Sequence, residues 1–346
     1  MCGMKFYRFS LFVMAVLAAG VSVAQSAGVG PGYNGARYAT DAYPGFEDND
    51  ANVKPERKEP RWFSWFTGPN RSTAAEQFAY CQELLKGEDW SKAARQLDAL
   101  VRKWPTAPEA WQAQEQLAAV QYEKLGDTEE AFKSYRYLLD FYSFQCDYAA
   151  TADKLYKLAG VLKLEGKEVM FVRFANTVDV RRYYEMCVLR APGAKWVPDA
   201  MLTIASLRVD EGRPEEAVKV YENIRNLYPS SPEAQKAYLL EASARMDILH
   251  ECSYNRERCQ DTSNFMKMAL RRCRPEDAAD IRAYLNETES HLADEAYRAA
   301  KFYDSRMRTR ESAIAAYERF LENYPNCAQA DEVRARLAEL KGVEQK

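Results

Sequence analysis

The residues best suited to chemistry lie in one short stretch of the chain. The two histidines are His250 and His291, and His250 is followed closely by two cysteines. A metal site at His250, Cys252 and Cys259 would match no usual zinc spacing, so we expect no metal. In an oxidising compartment, a disulfide from Cys259 to Cys252 or to Cys273 could clamp a long loop in this stretch. Free thiols are the other alternative, and the sequence leaves the state of these cysteines open.

Enzymatic chemistry has no clear setting in the rest of the chain. The sequence contains no G-x-S-x-G, no H-E-x-x-H and no phosphate-binding loop. Paired carboxylates occur at Glu129-Glu130 and Glu215-Glu216. These pairs begin predicted helices, where acidic side chains complement the helix dipole. We therefore predict that the protein is not an enzyme and has no catalytic residues and no cofactor.

The charge balance argues against a nucleic-acid partner. Lysine and arginine number 48 and aspartate and glutamate number 51, which gives a net charge of −3. A nucleic-acid-binding protein would show a concentrated basic face. We expect protein partners instead.

A repeated helical pattern organises the chain. The stretch Ala313–Pro325 places Ala313, Tyr317, Phe320 and Pro325 at relative positions 0, 4, 7 and 12. The first three positions fall on one face of a helix, and the proline ends that helix. The frame recurs at Ala93, Leu97, Leu100, Pro105, at Ala131, Tyr135, Leu138, Ser143, and at Ala217, Tyr221, Ile224, Pro229, with weaker copies beginning at Val180 and Ser263.

This repetition predicts an all-α solenoid of about five to six helix pairs over residues 73–341, closed by a capping helix. The predicted helices are Thr73–Leu85, Ser91–Lys103, Pro108–Leu125, Thr128–Tyr142, Ala149–Glu165, one from about Thr177, Asp199–Glu211, Pro214–Leu227, Ser231–Leu249, Pro275–Asp304 as one helix or two, Thr309–Tyr324 and Gln329–Leu340.

The third pair is predicted to contain an insertion, Lys167–Asn176. It carries Met170, Phe171 and Phe174. We expect these large apolar residues either to pack back on their own repeat or to form a contact site. Elsewhere, Cys81 and Cys187 fall on faces predicted to be buried, as free cysteines often are.

The N-terminal part reads as an export signal and a leader. Residues 1–24 combine Lys5 and Arg8 with an apolar run and small residues, which is typical of a cleaved signal peptide. Residues 25–72 form a leader poor in aliphatic residues. It contains the aromatic segment Trp62–Phe66, which would either cover the open end of the first repeat or dock on a partner or membrane surface.

The repeat frame resembles tetratricopeptide repeats. Ala93 and Ala131 are 38 residues apart and Val180 and Ala217 are 37 apart, close to that family's period of about 34. A narrower resemblance covers most of residues 72–341. The segments LLKGEDWSKAARQLDALVRKWPTAPEA, AAVQYEKLGDTEEAFKSYRYLLDFY and LADEAYRAAKFYDSRMRTRESAIAAYERFLENYP are similar to the BamD family of tetratricopeptide lipoproteins, which act in outer-membrane β-barrel assembly.

The resemblance implies a peptide-binding groove along the first helix of each pair. The matching positions here are Phe78, Gln82, Leu85, Lys86, Gln116, Val120, Glu123, Lys124, Tyr156 and Lys163. Packing between repeats is the alternative for the apolar members, and a solvated face is the alternative for the charged ones. No cysteine follows the apolar run of the signal, so we expect association with the membrane through partners.

The resemblance also implies a function and a location. It implies a non-enzymatic adaptor in the periplasm, associated with the outer membrane. Its partners would be β-barrel assembly components and segments of unfolded outer-membrane proteins. The alternative is another envelope tetratricopeptide scaffold, either a Tol–Pal or cell-division coordinator or a secretin pilot protein. A purely structural bridging role is a third alternative.

Overall fold

The part of the chain that the structure describes is built from successive helix pairs. The computed structural model describes residues 68–168, 173–252, 254–306 and 310–342, with side chains except at 166–168, 173–178 and 306. Within these ranges there are thirteen α-helices, one short 3-10 helix and no strand. The prediction of an all-α solenoid is confirmed. The predicted signal peptide, most of the predicted leader and the aromatic segment lie outside the described residues.

The chain divides into two compact units, the first ending at Leu162 and the second beginning at Lys163. The first unit contains α1 (Ala74–Lys86), α2 (Trp90–Lys103), α3 (Ala110–Glu123), α4 (Thr128–Phe141) and most of α5 (Tyr148–Glu168). The second unit contains the end of α5 and eight further helices: α6 (Arg173–Arg190), α7 (Val197–Asp210), α8 (Pro214–Leu227), α9 (Pro232–Glu251), α10 (Arg256–Ala269), α11 (Ala278–Arg306), α12 (Arg310–Asn323) and α13 (Ala330–Gly342). Pro275–Asp277 forms the 3-10 helix before α11.

The repeat frame forms the buried face of the second helix in each pair. In α2, Ala93, Leu97 and Leu100 are fully buried, and the equivalent residues of α4, α8 and α12 are at most 3% exposed. The weak copy that begins at Val180 is also buried within α6. Burial of three positions per helix at this spacing accounts for the stacking of the pairs.

Glycine and short polar side chains mark the turns within the pairs. Gly126 and Gly212 have φ values of +68° and +72°, a backbone region that glycine reaches without steric cost. The Asp89 side chain caps α2 by accepting a hydrogen bond from the backbone N–H of Lys92, and the Asp127 side chain caps α4 by accepting one from that of Glu130. These glycines lie in the turns from α3 to α4 and from α7 to α8.

Two tyrosines connect successive repeats. Tyr142 donates from its hydroxyl to the carbonyl oxygen of Pro105 at 2.7 Å, within the first unit. Tyr228 donates to the carbonyl oxygen of Pro192 at 3.0 Å, within the second unit. Both carbonyls belong to the frame position that ends a helix, so the residue that terminates one repeat also binds the next.

The predicted insertion Lys167–Asn176 is wrong in extent. Helix α5 continues through Gly166 to Glu168, and α6 begins at Arg173. The sequence from Lys167 to Asn176 has no proline or glycine, and a single glycine within a helix costs only about 1 kcal/mol. Phe174 therefore lies in α6, while Met170 and Phe171 lie outside the described residues.

The long predicted helix Pro275–Asp304 is one α-helix after a 3-10 turn. Its 29 residues in α11 serve two core clusters of the second unit. Ile281 and Leu292 pack in the cluster that includes residues of α9 and α10, and Ala293 and Ala300 pack with α12 and α13. The length of α11 follows from this arrangement, because its two halves each contribute to a different core cluster.

Candidate peptide-binding surface

A pair of glutamines joins the first two predicted groove helices. Gln82 on α1 donates from Nε2 to Oε1 of Gln116 on α3, at 2.7 Å. Both side chains are half-buried. Two of the predicted groove residues are therefore direct neighbours, although 34 positions separate them in the sequence.

An ion pair joins the next two groove helices. Lys154 Nζ on α5 lies 3.4 Å from Glu115 Oε1 on α3, and the two side chains are 45% and 39% exposed. The same ammonium lies 5.4 Å from the ring centroid of Tyr135 on α4. Burial, then the carboxylates of Glu123 and Glu115, raise the pKa of Tyr135 to about 12. This part of the surface combines two carboxylates and a lysine, and the neutral phenol of Tyr135 is buried beneath them.

Lys124 lies against an aromatic ring at the end of α3. Its Nζ is 4.9 Å from the ring centroid of Trp90, the first residue of α2. Trp90 is half-buried and Lys124 is exposed. A lysine over an indole ring gains a cation–π interaction and leaves the ammonium accessible to an anionic ligand.

The remaining predicted residues of the first unit differ in exposure. Phe78, Leu85 and Tyr156 are half-buried, and Lys86 and Glu123 are exposed. Val120 is only 6% exposed, so its side chain contributes to packing. The half-buried aromatic residues are the ones that could contact both the repeat core and a ligand.

Lys163 is the one predicted groove residue that falls in the second unit. It belongs to the second unit, where its Nζ lies 6.0 Å from the ring centroid of Tyr184. The surface described here is therefore that of the first unit alone.

The sequence did not single out three residues that shape this surface: Glu115, Lys154 and Trp90. Glu115 and Lys154 are 39 residues apart, close to one repeat period. Because these two opposite charges occupy nearly equivalent positions on successive first helices, their spacing could have indicated the Glu115–Lys154 bridge. Trp90 begins a helix after Asp89, and its sequence position gives no sign that Lys124 would lie over it.

The histidine and cysteine stretch forms a structural contact in the second unit. His250 Nε2 lies 3.0 Å from Glu287 Oε1, and the Tyr254 hydroxyl donates to the same oxygen at 2.5 Å. The Tyr254 ring stacks on His291 with centroids 3.5 Å apart. Hydrogen bonds from Tyr254, then His250, lower the pKa of Glu287. These contacts attach the turn between α9 and α10 to α11.

The cysteines of this stretch are free thiols in the structure, so neither predicted disulfide alternative is formed. Cys259 is buried, Cys273 is half-buried and Cys252 is exposed. Over the described ranges, no group of three or more histidine, cysteine, aspartate or glutamate side chains is placed to hold a metal ion. Cys81 and Cys187 are buried as predicted, and burial raises the pKa of Cys81 to about 12.

Comparison with known proteins points to a repeat fold. Models of the tetratricopeptide repeat match residues 82–145, 199–231 and 296–326. The chain is similar to the crystal structure of a tetratricopeptide repeat protein from Parabacteroides merdae, with 14% identity over 78% of this chain and 98% of that chain and a TM-score of 0.30. Comparison with curated proteins gives no match.

Two further solved structures are similar. They are MamA, with 13% identity, 57% and 91% coverage and a TM-score of 0.28, and the assembly chaperone of RpL4 (Acl4), with 13% identity, 80% and 100% coverage and a TM-score of 0.24. At these TM-scores the likenesses carry no argument. The matched repeats and the helix pairs indicate a protein–protein interaction scaffold, a role that is typically non-enzymatic. In the described part of the chain, no helix has the length and hydrophobicity needed to cross a membrane.

Proposed function

We propose that the protein is a non-enzymatic adaptor of the periplasm, where it binds partner proteins during assembly of outer-membrane β-barrel proteins. The surface of α1, α3 and α5 would hold an extended peptide segment. The observation that carries the proposal is the pair of side-chain bridges, Gln82 to Gln116 and Glu115 to Lys154, which link three first helices through partly exposed polar groups.

The chemistry of this surface suits an extended peptide. Phe78 and Tyr156 offer half-buried aromatic contacts for apolar side chains. The amides and charged groups between them offer hydrogen bonds to a polar backbone or to a terminal carboxylate. The segments similar to the BamD family support placing this peptide in outer-membrane assembly, and the predicted signal peptide supports export.

The first experiment is photo-crosslinking in the native envelope. A photoreactive amino acid replaces Lys86, which is exposed at the end of α1, and in a matched control it replaces Phe302, which is exposed on α11. We expect the Lys86 position alone to crosslink to a β-barrel assembly component or to an unfolded outer-membrane protein. Mass spectrometry identifies the product.

Substitutions then test the surface itself. Phe78→Ala and Tyr156→Ala should each reduce recovery of that partner, whereas Phe302→Ala should not. Crosslinks to Tol–Pal, secretin or peptidoglycan-bound proteins would instead support the alternative envelope scaffold. Retention of the protein in the cytoplasm, without export to the envelope, would contradict both functions.

A further inference from the structure

The two amides of the Gln82–Gln116 bridge use only part of their hydrogen-bonding capacity. A carboxamide offers two N–H donors and one oxygen acceptor. The bridge uses one N–H of Gln82 and the oxygen of Gln116. Among the described residues, nothing bonds to Gln82 Oε1 or to Gln116 Nε2. The pair therefore presents Gln82 Oε1 as an unused acceptor and the N–H groups of Gln116 Nε2 as unused donors on a partly exposed surface.

A second glutamine pair in the same unit shows what such atoms do when a backbone segment is present. Gln77 on α1 donates from Nε2 to Gln96 Oε1 on α2 at 2.8 Å. This pair also binds the non-helical segment before α1. Gln96 Oε1 accepts from the backbone N–H of Asn70 at 3.1 Å, and Gln77 Oε1 accepts from that of Arg71 at 3.0 Å.

The contact between this glutamine pair and the segment before α1 also includes a hydrogen bond in which the amide is the donor. Gln96 Nε2 donates to the carbonyl oxygen of Gly68 at 3.4 Å. A bridged glutamine pair on adjacent helices thus holds a backbone segment through both donor and acceptor atoms. The Gln77–Gln96 pair is at most 7% exposed and already occupied, whereas the Gln82–Gln116 pair is half-buried and its outer atoms are unused.

We propose that the Gln82–Gln116 pair binds the main chain of an extended peptide and does so independently of the peptide's side chains. Each residue of an extended strand presents its N–H and C=O toward the same side. Gln82 Oε1 would accept the N–H, and Gln116 Nε2 would donate to the C=O. The inference rests on the proposed peptide-binding role.

The pair also allows either direction of the bound chain. Rotation of both amides by half a turn reverses the bridge, so that Gln116 donates to Gln82. The outer donor and acceptor then exchange places. A peptide that runs in the opposite direction therefore meets the same pattern of donor and acceptor.

The test uses an array of ten-residue peptides tiled across β-barrel outer-membrane proteins, each with a scrambled and a reversed counterpart. Purified full-length protein is applied, and affinities are measured for the peptides that bind. We expect scrambled and reversed peptides of the same composition to bind within about threefold of the original. A single backbone N-methyl group at the contacted residue should weaken binding about tenfold, because one hydrogen bond is lost and the methyl group blocks contact.

The matched variants are Gln82→Leu with Gln116→Leu, and Gln112→Leu as the control. Gln112 is exposed on α3. We expect the double variant to bind at least tenfold more weakly with an unchanged melting temperature, and the control to bind like the wild type. If peptides bind the wild type and the double variant equally, or if scrambling abolishes binding, main-chain recognition is overturned while peptide binding stands. If no peptide binds the wild type, the proposed function fails and this inference fails with it.

Discussion

The two units of the protein bury different kinds of polar group. In the first unit the fully buried Gln77 and Gln114 on first helices each donate to a backbone carbonyl of the following helix, at Gln96 and Ser134 respectively. In the second unit the interior also holds charged side chains. Glu185 and Glu241 are both fully buried, and each lies between two arginines.

The charged groups of the second unit connect helices that are consecutive in the chain. Glu185 on α6 binds Arg181 at 2.7 Å and Arg208 of α7 at 3.0 Å. Glu241 on α9 binds Arg225 of α8 and Arg245, both at 2.8 Å. The guanidinium of Arg245 also lies 4.6 Å from the ring centroid of Phe265, so the ion cluster is enclosed by aromatic surface.

The difference matters because neutral amides and ions respond differently to loss of a partner. A neutral amide with one unused atom costs little at a partly exposed site, and that atom stays available for a ligand. A buried carboxylate without its cations is costly, so its bonds have to be complete. Burial raises the pKa of Glu241 even though Arg225 and Arg245 both lower it. The amides of the first unit can therefore form new hydrogen bonds with a ligand, whereas the ion clusters of the second unit hold neighbouring helices in one arrangement.

The largest expected effect is at Glu241. We expect Glu241→Ala to lower the free energy of unfolding by about 3–5 kcal/mol, because the fully buried carboxylate is removed and the half-buried guanidiniums of Arg225 and Arg245 both lose it as a partner. Urea denaturation followed by circular dichroism measures this change in the free energy of unfolding. Glu222→Ala, at an exposed position of α8, is the control and should stay within about 0.5 kcal/mol of the wild type.

A triple variant separates pairing from burial. Replacing Arg225 and Arg245 with Met and Glu241 with Leu removes all three charges together. This variant should be more stable than Glu241→Ala, because no uncompensated ion remains. A loss below about 1 kcal/mol for Glu241→Ala would mean that the cluster does not hold α8 and α9 together.

A smaller effect is expected for the amide pair of the first unit. Gln77→Leu removes the bond to Gln96 and leaves the N–H of Arg71 without its acceptor. Both groups are neutral, so we expect a loss of about 1–3 kcal/mol in the same denaturation assay. A loss as large as that of Glu241→Ala would remove the distinction between the two units.

The fold was predictable from the sequence because the frame repeats local rules. Apolar residues at helical spacing, followed by proline in three of the four copies, predicted the buried face of α2, α4, α8 and α12. Gly126 and Gly212 marked the turns before α4 and α8. The predicted insertion is wrong in extent because Lys167–Asn176 contains no proline or glycine that would end a helix.

The candidate site was less predictable than the fold. The positions Gln82 and Gln116 could be named from resemblance, but their mutual bond depends on the relative rotation of α1 and α3. The bridge from Glu115 to Lys154 and the stacking of Lys124 on Trp90 depend on the same packing. Side-chain partners between helices follow from tertiary geometry, and a single sequence does not encode that geometry in any local pattern.

The capping helix of the second unit should show a modest acid sensitivity. Hydrogen bonds from Arg336, then from Tyr317, lower the pKa of Asp304, although burial opposes the shift. A depressed folded pKa contributes stability above the unfolded value, about 3.9, and this contribution is lost as the pH falls through the folded value. We expect the stability difference between the wild type and Asp304→Asn, measured by urea denaturation, to shrink from pH 7 to pH 3. A constant difference would contradict the ionic role of Asp304.

The smallest effect on stability is expected at the exposed ion pair of the first unit. Lys154 and Glu115 lie 3.4 Å apart with both side chains well exposed, and exposed pairs contribute about 0–1 kcal/mol. We therefore expect Lys154→Ala to change the free energy of unfolding by less than about 1 kcal/mol, in contrast to Glu241→Ala. Peptide affinity should nevertheless fall, because the variant removes an exposed cation from the surface proposed to hold the peptide. Lys157→Ala, at an exposed position of the same helix, serves as the control for general charge effects. If Lys154→Ala destabilised the protein as strongly as Gln77→Leu, the ion pair would be part of the structural core, and of the two bridges only Gln82–Gln116 would remain to serve a ligand.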